Sequence, residues 1–366
     1  MNVALLAAGI VLASLAARER TGRRVRQTAA VLLAIVLIGA PFVTSTTAVL
    51  FDALAAACIA YGWNVIGGYT GYASFGNVAY LGLGAFVAAG FMSRQPGHPA
   101  LPWFVGIPLA VAIVSVVAAA IGLAVLRLRG HYFSIATLGI GIAMPQVIQW
   151  DAAFGPSGVV PGFFGGGRPL NFPLAPDLEI GGLVLSADHY LFYYLALFTA
   201  AVGFGTTWWL SRSKFGYALV AIRENEEAAE VLGIDTTLMK SLAYTLSAAL
   251  AALGGAAIGY RLTNMTTEAD ALFSTTNNLQ MIVIALIGGV GSVWGPLIGA
   301  FVLFALQDAV RLVGSGSTFL QWQAIAFSLV IVLVVLFLPR GLMRFLRSRR
   351  DLTWSALRDE LLAFRI

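Results

Sequence analysis

Runs of apolar residues at 28–43, 49–68, 104–126, 132–150, 190–210, 241–261 and 319–338 reach or approach the roughly 20 residues a helix needs to cross a bilayer. In hydrocarbon every backbone N–H and C=O must be satisfied within the protein, so runs of this length and spacing fold as helices. Less regular spans fit at 74–92, 278–292 and 295–313. The first run, 3–17, is short; no positive segment precedes it, so it reads as a marginal first span rather than a cleaved signal. The expected fold is therefore all-α, a polytopic integral membrane protein of ten or eleven transmembrane helices. Composition agrees, because only 11% of residues are charged and 59% are hydrophobic, against about a quarter charged in a soluble domain. Residues 1–27 read as a short span and basic loop, 28–340 as the membrane domain, and 341–366 as an amphipathic tail with Trp354, Leu357, Leu361 and Phe364 on one side.

The net charge of +5 does not point to nucleic acid, because of where the basic residues stand. Eighteen of the 22 Lys and Arg fall in 18–26, 127–129, 212–240 and 340–365, loops that share one side when spans alternate. Basic loops mark the cytoplasmic side, which puts the N-terminus outside and the C-terminus inside if the spans number eleven. Burying the arginines of 18–26 would cost on the order of 2.5–3.5 kcal/mol each, so that segment is expected to be a loop.

Between two of the apolar runs lies SRSKFGYALVAIRENEEAAEVLGIDTTLMK, residues 211–240, which holds nine of the 39 charged residues. Its punctuation is clear. Ser213 can cap a short helix over 214–222. Asn225 can cap a second, with Glu226 and Glu227 at its positive end and Gly233 as terminator. Asp235 then caps the next span, with Ile234 and Met239 spaced as a hydrophobic staple. Leu219, Ile222 and Leu232 would face the membrane domain or a partner's groove. Such a helical knob gives something outside the membrane a handle, which suggests a transport subunit driven by a partner.

Two glycine-rich segments resemble each other: IGGYTGYASFGNVAYLGLGAFV (66–87) and IGGVGSVWGPLIGAFV (287–302). Six expected spans separate them, so both run in the same sense, as a parallel internal duplication would. Paired glycine-broken spans point to a transporter's substrate path, which nominates Gly68, Gly71, Ser74, Asn77, Gly289, Gly291 and Ser292. Close helix packing through small residues competes with that reading, for Gly291, Gly295 and Gly299 have the four-residue spacing it needs. The stretch 151–188, with five prolines and eight glycines, is expected to be an external loop, either a connector or a docking surface for an external partner.

Phosphate-loop, zinc-protease, Cys-x-x-Cys and serine-elbow patterns do not occur, so no enzyme is expected. His98, His131 and His189 fall at separate span ends and suggest no metal site. Asp52 and Asp308 lie near outer span ends, Asp308 three residues before Arg311, and structural roles are expected for both.

Four blocks carry a family likeness: GGYTGYASFGNVAYLGLGAF (67–86), LRLRGHYFSIATLGIG (126–141), the long stretch 213–256 that contains AIRENEEAAEVLGID, and LFLPRGL (336–342). With IGGVGSVWGPLIGA they resemble the permease subunits of branched-chain amino acid ABC transporters, the LivH/LivM family, and are more similar to its longer LivM type. The resemblance implies an ATP-driven importer of a bacterial inner membrane. In it two homologous permeases form the path, two cytoplasmic ATP-binding subunits drive it, and a periplasmic solute-binding protein delivers substrate. ATP and Mg would belong to the partner subunits; this chain binds no cofactor of its own, and lipid is its other neighbour. The family's coupling loop maps onto Arg223 through Gly233, with Arg223, Glu224, Asn225, Glu226, Glu227 and Gly233 as candidate contacts. The usual Gly-Gly-x-x-Gly external motif appears as Gly155-Pro156-Ser157-Gly158-Val159-Val160-Pro161, and His131 stands where an acid often follows the Arg-Gly pair. Similar permeases carry urea, short amides or other amino acids. A secondary transporter driven by an ion gradient is the alternative of a different class.

Overall fold

The computed structural model describes residues 2–17, 23–44, 47–93, 100–128, 130–154, 170–171, 178–180, 183–262, 264–265 and 270–313. Its helices are α1 (Asn2–Ala17), α2 (Arg23–Val43), α3 (Ala48–Trp63), α4 (Asn77–Met92), α5 (Trp103–Val125), α6 (His131–Phe154), α7 (Phe192–Leu210), α8 (Lys214–Glu224), α9 (Glu226–Val231), α10 (Thr236–Leu262), α11 (Asp270–Phe273), α12 (Thr275–Gly288) and α13 (Gly295–Val313). Helix α3 runs on as a π-helical turn, Asn64–Tyr69. Six helices are long and apolar enough to cross a membrane, and α1, α4 and α13 are shorter apolar helices. The fold is all-α and polytopic. The span at 319–338 and the tail at 341–366 lie outside the described residues.

Two short antiparallel ladders accompany the helices: β1 (Leu170–Asn171) with β4 (Asn264–Met265), and β2 (Leu178–Ile180) with β3 (Leu183–Leu185). The stretch 151–188 is thus not wholly irregular, since α6 continues to Phe154 and short strands follow. A second correction concerns 18–26. Arg23–Arg26 form the first turn of α2 rather than part of a loop, because a helix can extend past the hydrocarbon and leave its basic residues at the polar interface.

Helices α3 and α10 form the centre and run antiparallel. Arg261 pairs with Asp52 at one end, the Cys58 thiol donates to the Leu250 carbonyl midway at 3.5 Å, and a Cβ on Gly62 would strike the Ser247 carbonyl further along. Gly255 meets the backbone of Leu81 in α4 in the same way, the close approach that small residues permit in membrane bundles. By contrast α2, α5 and α6 expose Val31, Ile35, Ile38, Val116, Ile135 and Ile142, the apolar faces expected against lipid.

The two ends of the bundle follow from contacts. Tyr193 and Tyr194 at the start of α7 donate to the carbonyls of Leu37 and Ile38, and Thr47 donates to the His189 carbonyl. The α2–α3 turn, the start of α7 and the Asp52–Arg261 pair therefore share one end. Helix α7 then runs about 28 Å at 1.5 Å per residue, which carries α8 and α9 to the other end. Arg24, Arg26, Arg127, Arg212, Lys214, Arg223 and Lys240 belong to that α8–α9 end; among the described residues with placed side chains, Arg261 is the basic one at the opposite end.

Candidate functional site

The α8–α9 knob is built by its caps. Ser213, extended at φ −92° and ψ 153°, accepts a 3.0 Å bond from the Gly216 amide and starts α8. Asn225 interrupts the helix at φ −161° and ψ 109°, and its Oδ1 accepts from the Ala228 amide at 3.0 Å, so one residue ends α8 and caps α9. Glu226 and Glu227 occupy the first turn of α9, where the helix dipole favours negative charge. Gly233 at φ +84° closes the helix. Its amide donates to Glu230 and the Ile234 amide donates to Ala229 at 3.1 Å, the paired bonds of a Schellman motif. Asp235 then accepts from the Leu238 amide and begins α10.

The knob has two unlike faces. Leu219, Ile222 and Ala229 are buried against the membrane domain, whereas Val231 and Leu232 are 87% and 79% exposed. Glu224 and Glu227 are exposed as well. Leu232, expected on either a domain or a partner contact, is thus turned away from the domain.

Two polar ties bind the inner face. The Arg223 guanidinium donates to the Gly68 carbonyl at 3.0 Å and, from its other nitrogens, to the Glu224 carboxylate next to it. Glu226 points inward: its carboxylate accepts from the Tyr72 hydroxyl and pairs with Lys240 at 2.5 Å. Lys240 is 2% exposed; its ammonium also donates to the Tyr72 hydroxyl at 3.3 Å and lies 4.7 Å from that ring's centroid. A buried lysine is tolerated only with such a set of partners.

Both glycine-rich segments arrive at the same place. Helix α3 with its π-helical turn, and helix α12, end at breaks where Gly71 and Gly291 take φ of +76° and +74°, and α4 and α13 leave from there. Asn64 joins the breaks, since its Oδ1 accepts from the Gly291 amide at 2.7 Å and its Nδ2 donates to the Ser292 carbonyl at 3.1 Å. The Tyr61 hydroxyl donates to the Val293 carbonyl at 3.0 Å. The Arg223 side chain packs over both glycines, where a Cβ on Gly71 would lie 2.8 Å from its Cγ and one on Gly291 3.1 Å from its NH1 nitrogen. The four-residue glycine row divides: Gly291 belongs to the break, while Gly288, Gly295 and Gly299 bring the α12 and α13 backbones into contact.

The candidate residues therefore assemble. Gly68, Gly71, Gly289, Gly291 and Ser292 form the joint, with the Ser292 hydroxyl donating to the Gly289 carbonyl. Ser74 and Asn77 lie beside it in a buried network in which Ser74 donates to Asn77, and Asn77 to Ser247 of α10. Asn278 of α12 donates to the Phe75 carbonyl at 2.6 Å. Residue patterns did not single out Asn64, Tyr72 or Lys240. The signal was there for two of them, because an asparagine and a lysine within otherwise apolar helical runs need internal partners.

Residues 45–338 match the protein family described as the branched-chain amino acid transport system, permease component. The chain is similar to the high-affinity branched-chain amino acid transport system permease protein LivM of Salmonella typhimurium, 27% identical over 80% of this chain and 68% of the relative. LivM of Escherichia coli is 26% identical over 82% of this chain and 70% of the relative. The ribose import permease protein RbsC of Escherichia coli is 27% identical over 63% of this chain and 68% of the relative. No solved structure matches the chain.

Proposed function

The chain belongs to the permease family of branched-chain amino acid transport systems, and from that premise we propose that it is the membrane subunit of an ATP-driven importer. In this reading α8 and α9 are the seat of a cytoplasmic ATP-binding subunit. The carrying observation is the exposed Val231–Leu232 pair on a helix whose opposite face is buried and ion-paired. Two adjacent large apolar side chains on a polar knob, flanked by Glu224 and Glu227, suit the apolar groove and basic rim of a soluble partner. The preponderance of Lys and Arg at that end supports a cytoplasmic orientation.

The partners are a second homologous permease, two ATP-binding subunits and an extracytoplasmic solute-binding protein. Nucleotide binding favours one arrangement of the ATP-binding subunits, and the knob must prefer one facing state of the bundle for that energy to move solute. The glycine joint, with Ser74 and Asn77 beside it, is the moving part of the path in this proposal, because backbone freed from helical bonding needs protein or water to receive it. The solute is an amino acid with an apolar side chain. Similarity to the LivM proteins over four-fifths of the chain supports this, while the similarity to a ribose permease makes a sugar the second reading.

The test is uptake by the assembled transporter in proteoliposomes with radiolabelled leucine, ribose and urea. Leucine uptake that requires ATP inside and survives collapse of ion gradients supports the proposal. Uptake driven by an ion gradient without ATP overturns it, and ATP-driven uptake of ribose alone reassigns the solute.

A further inference from the structure

Glu226 joins the knob to α10 and to the first glycine break at once, through Lys240 and Tyr72. Lys240 stands in the second turn of α10, 2% exposed, with its charge met by one carboxylate, one hydroxyl and one ring face. Tyr72 lies one residue beyond Gly71, the left-handed point of the break. The knob's second tie, Arg223, reaches Gly68 and the neighbourhood of Gly291. The knob is thus tied to α10 and the 70–76 segment through Glu226 of α9, and to Gly68 and the neighbourhood of Gly291 through Arg223 of α8.

Burial explains why the tie through Glu226 can transmit movement rather than absorb it. A charge pair in water is screened and loose, whereas one with a fully buried partner is short and costly to separate. On this geometry we infer that Lys240 is a positioning residue of transport: with Tyr72 it holds Glu226 so that motion of the α8–α9 knob reaches the glycine joint. This rests on the proposal that the knob seats an ATP-binding subunit. Lys240 touches neither nucleotide nor solute in this role; it acts through Glu226.

The experiment uses the assembled transporter in proteoliposomes and measures solute taken up per ATP hydrolysed, alongside cross-linking of Leu232→Cys to the ATP-binding subunit. Lys240→Met is expected to retain the cross-link while uptake per ATP falls at least tenfold. Lys240→Arg, and the exchanged pair Glu226→Lys with Lys240→Glu, should each recover a substantial part of that ratio, which a residue needed only for folding would not produce. Where Lys240→Met does not accumulate in the membrane, Tyr72→Phe, which removes one hydroxyl from the same cluster, decides by the same ratio with an expected loss of about threefold or more. A retained cross-link with an unchanged ratio in these variants overturns the role of Lys240 and leaves the proposed function standing. Absence of the cross-link in the otherwise unmodified transporter overturns the proposed function itself.

Discussion

The Arg223 guanidinium, on the knob between α7 and α10, donates a 3.0 Å hydrogen bond to the carbonyl of Gly68, 155 residues earlier in the chain. Its aliphatic stem covers Gly71, and its terminal nitrogen lies beside Gly291. One side chain thus meets both glycine-rich breaks. Arg223→Lys keeps the charge but loses the planar fork that serves Gly68 and Glu224 together. We predict that this variant assembles and reaches the membrane yet transports at a small fraction of the unmodified rate, measured by initial uptake normalised to membrane content.

Gly71 and Gly291 are predicted to resist substitution for two reasons. A left-handed residue other than glycine costs roughly 1–2 kcal/mol, and a Cβ at either position also intrudes on Arg223. Gly130 supplies the control, because it has φ +58° and open space, with nothing within 4 Å, where a Cβ would stand. Gly130→Ala should lower thermal stability slightly and leave uptake intact, whereas Gly71→Ala and Gly291→Ala should lower both. Thermal unfolding in detergent and uptake in vesicles check the difference.

Asn64 is the bridge between the breaks, with one bond in each direction. Asn64→Leu removes two hydrogen bonds to half-buried backbone groups, the Gly291 amide and the Ser292 carbonyl, at about 0.5–1.5 kcal/mol each. A clear fall in melting temperature is expected, larger than that of Asn225→Ala, an exposed cap whose loss costs about 1 kcal/mol.

Asp52 and Arg261 pair at 2.8 Å, with side chains 47% and 30% exposed. A pair so open to solvent contributes at most about 1 kcal/mol. Asp52→Asn is predicted to preserve uptake and its dependence on ATP. Loss of uptake in that variant, together with a new sensitivity to the proton gradient, would instead mark a coupling-ion site.

Local grammar makes the knob legible in the sequence. Ser213, Asn225, Gly233 and Asp235 each act on backbone groups within about five residues, so their types and spacing suffice to define where helices start and stop. The apolar runs declare the spans for the same reason. What the residue pattern does not contain is which way each face turns. Glu226 and Glu227 are equivalent as first-turn acids, yet only the fold brings Lys240, fourteen residues on, and Tyr72, far upstream, to the carboxylate of Glu226. Leu219 and Leu232 likewise look alike in sequence, and tertiary packing buries one and exposes the other. The pairing of 170–171 with 264–265 is a further non-local contact that no short window encodes. The meeting of the two glycine segments is legible only as a likeness; their junction through Asn64 and Arg223 requires the packing of α3 on α12 and α13.

The importer reading turns on where Leu232 faces. Cys58, the one native cysteine, is buried, so Leu232→Cys gives a single reactive position on the knob. In the assembled transporter in sealed, right-side-out vesicles, this cysteine is predicted to cross-link to the ATP-binding subunit and to stay unlabelled by a membrane-impermeant maleimide added outside. Labelling from outside, with no cross-link to that subunit, would contradict that reading.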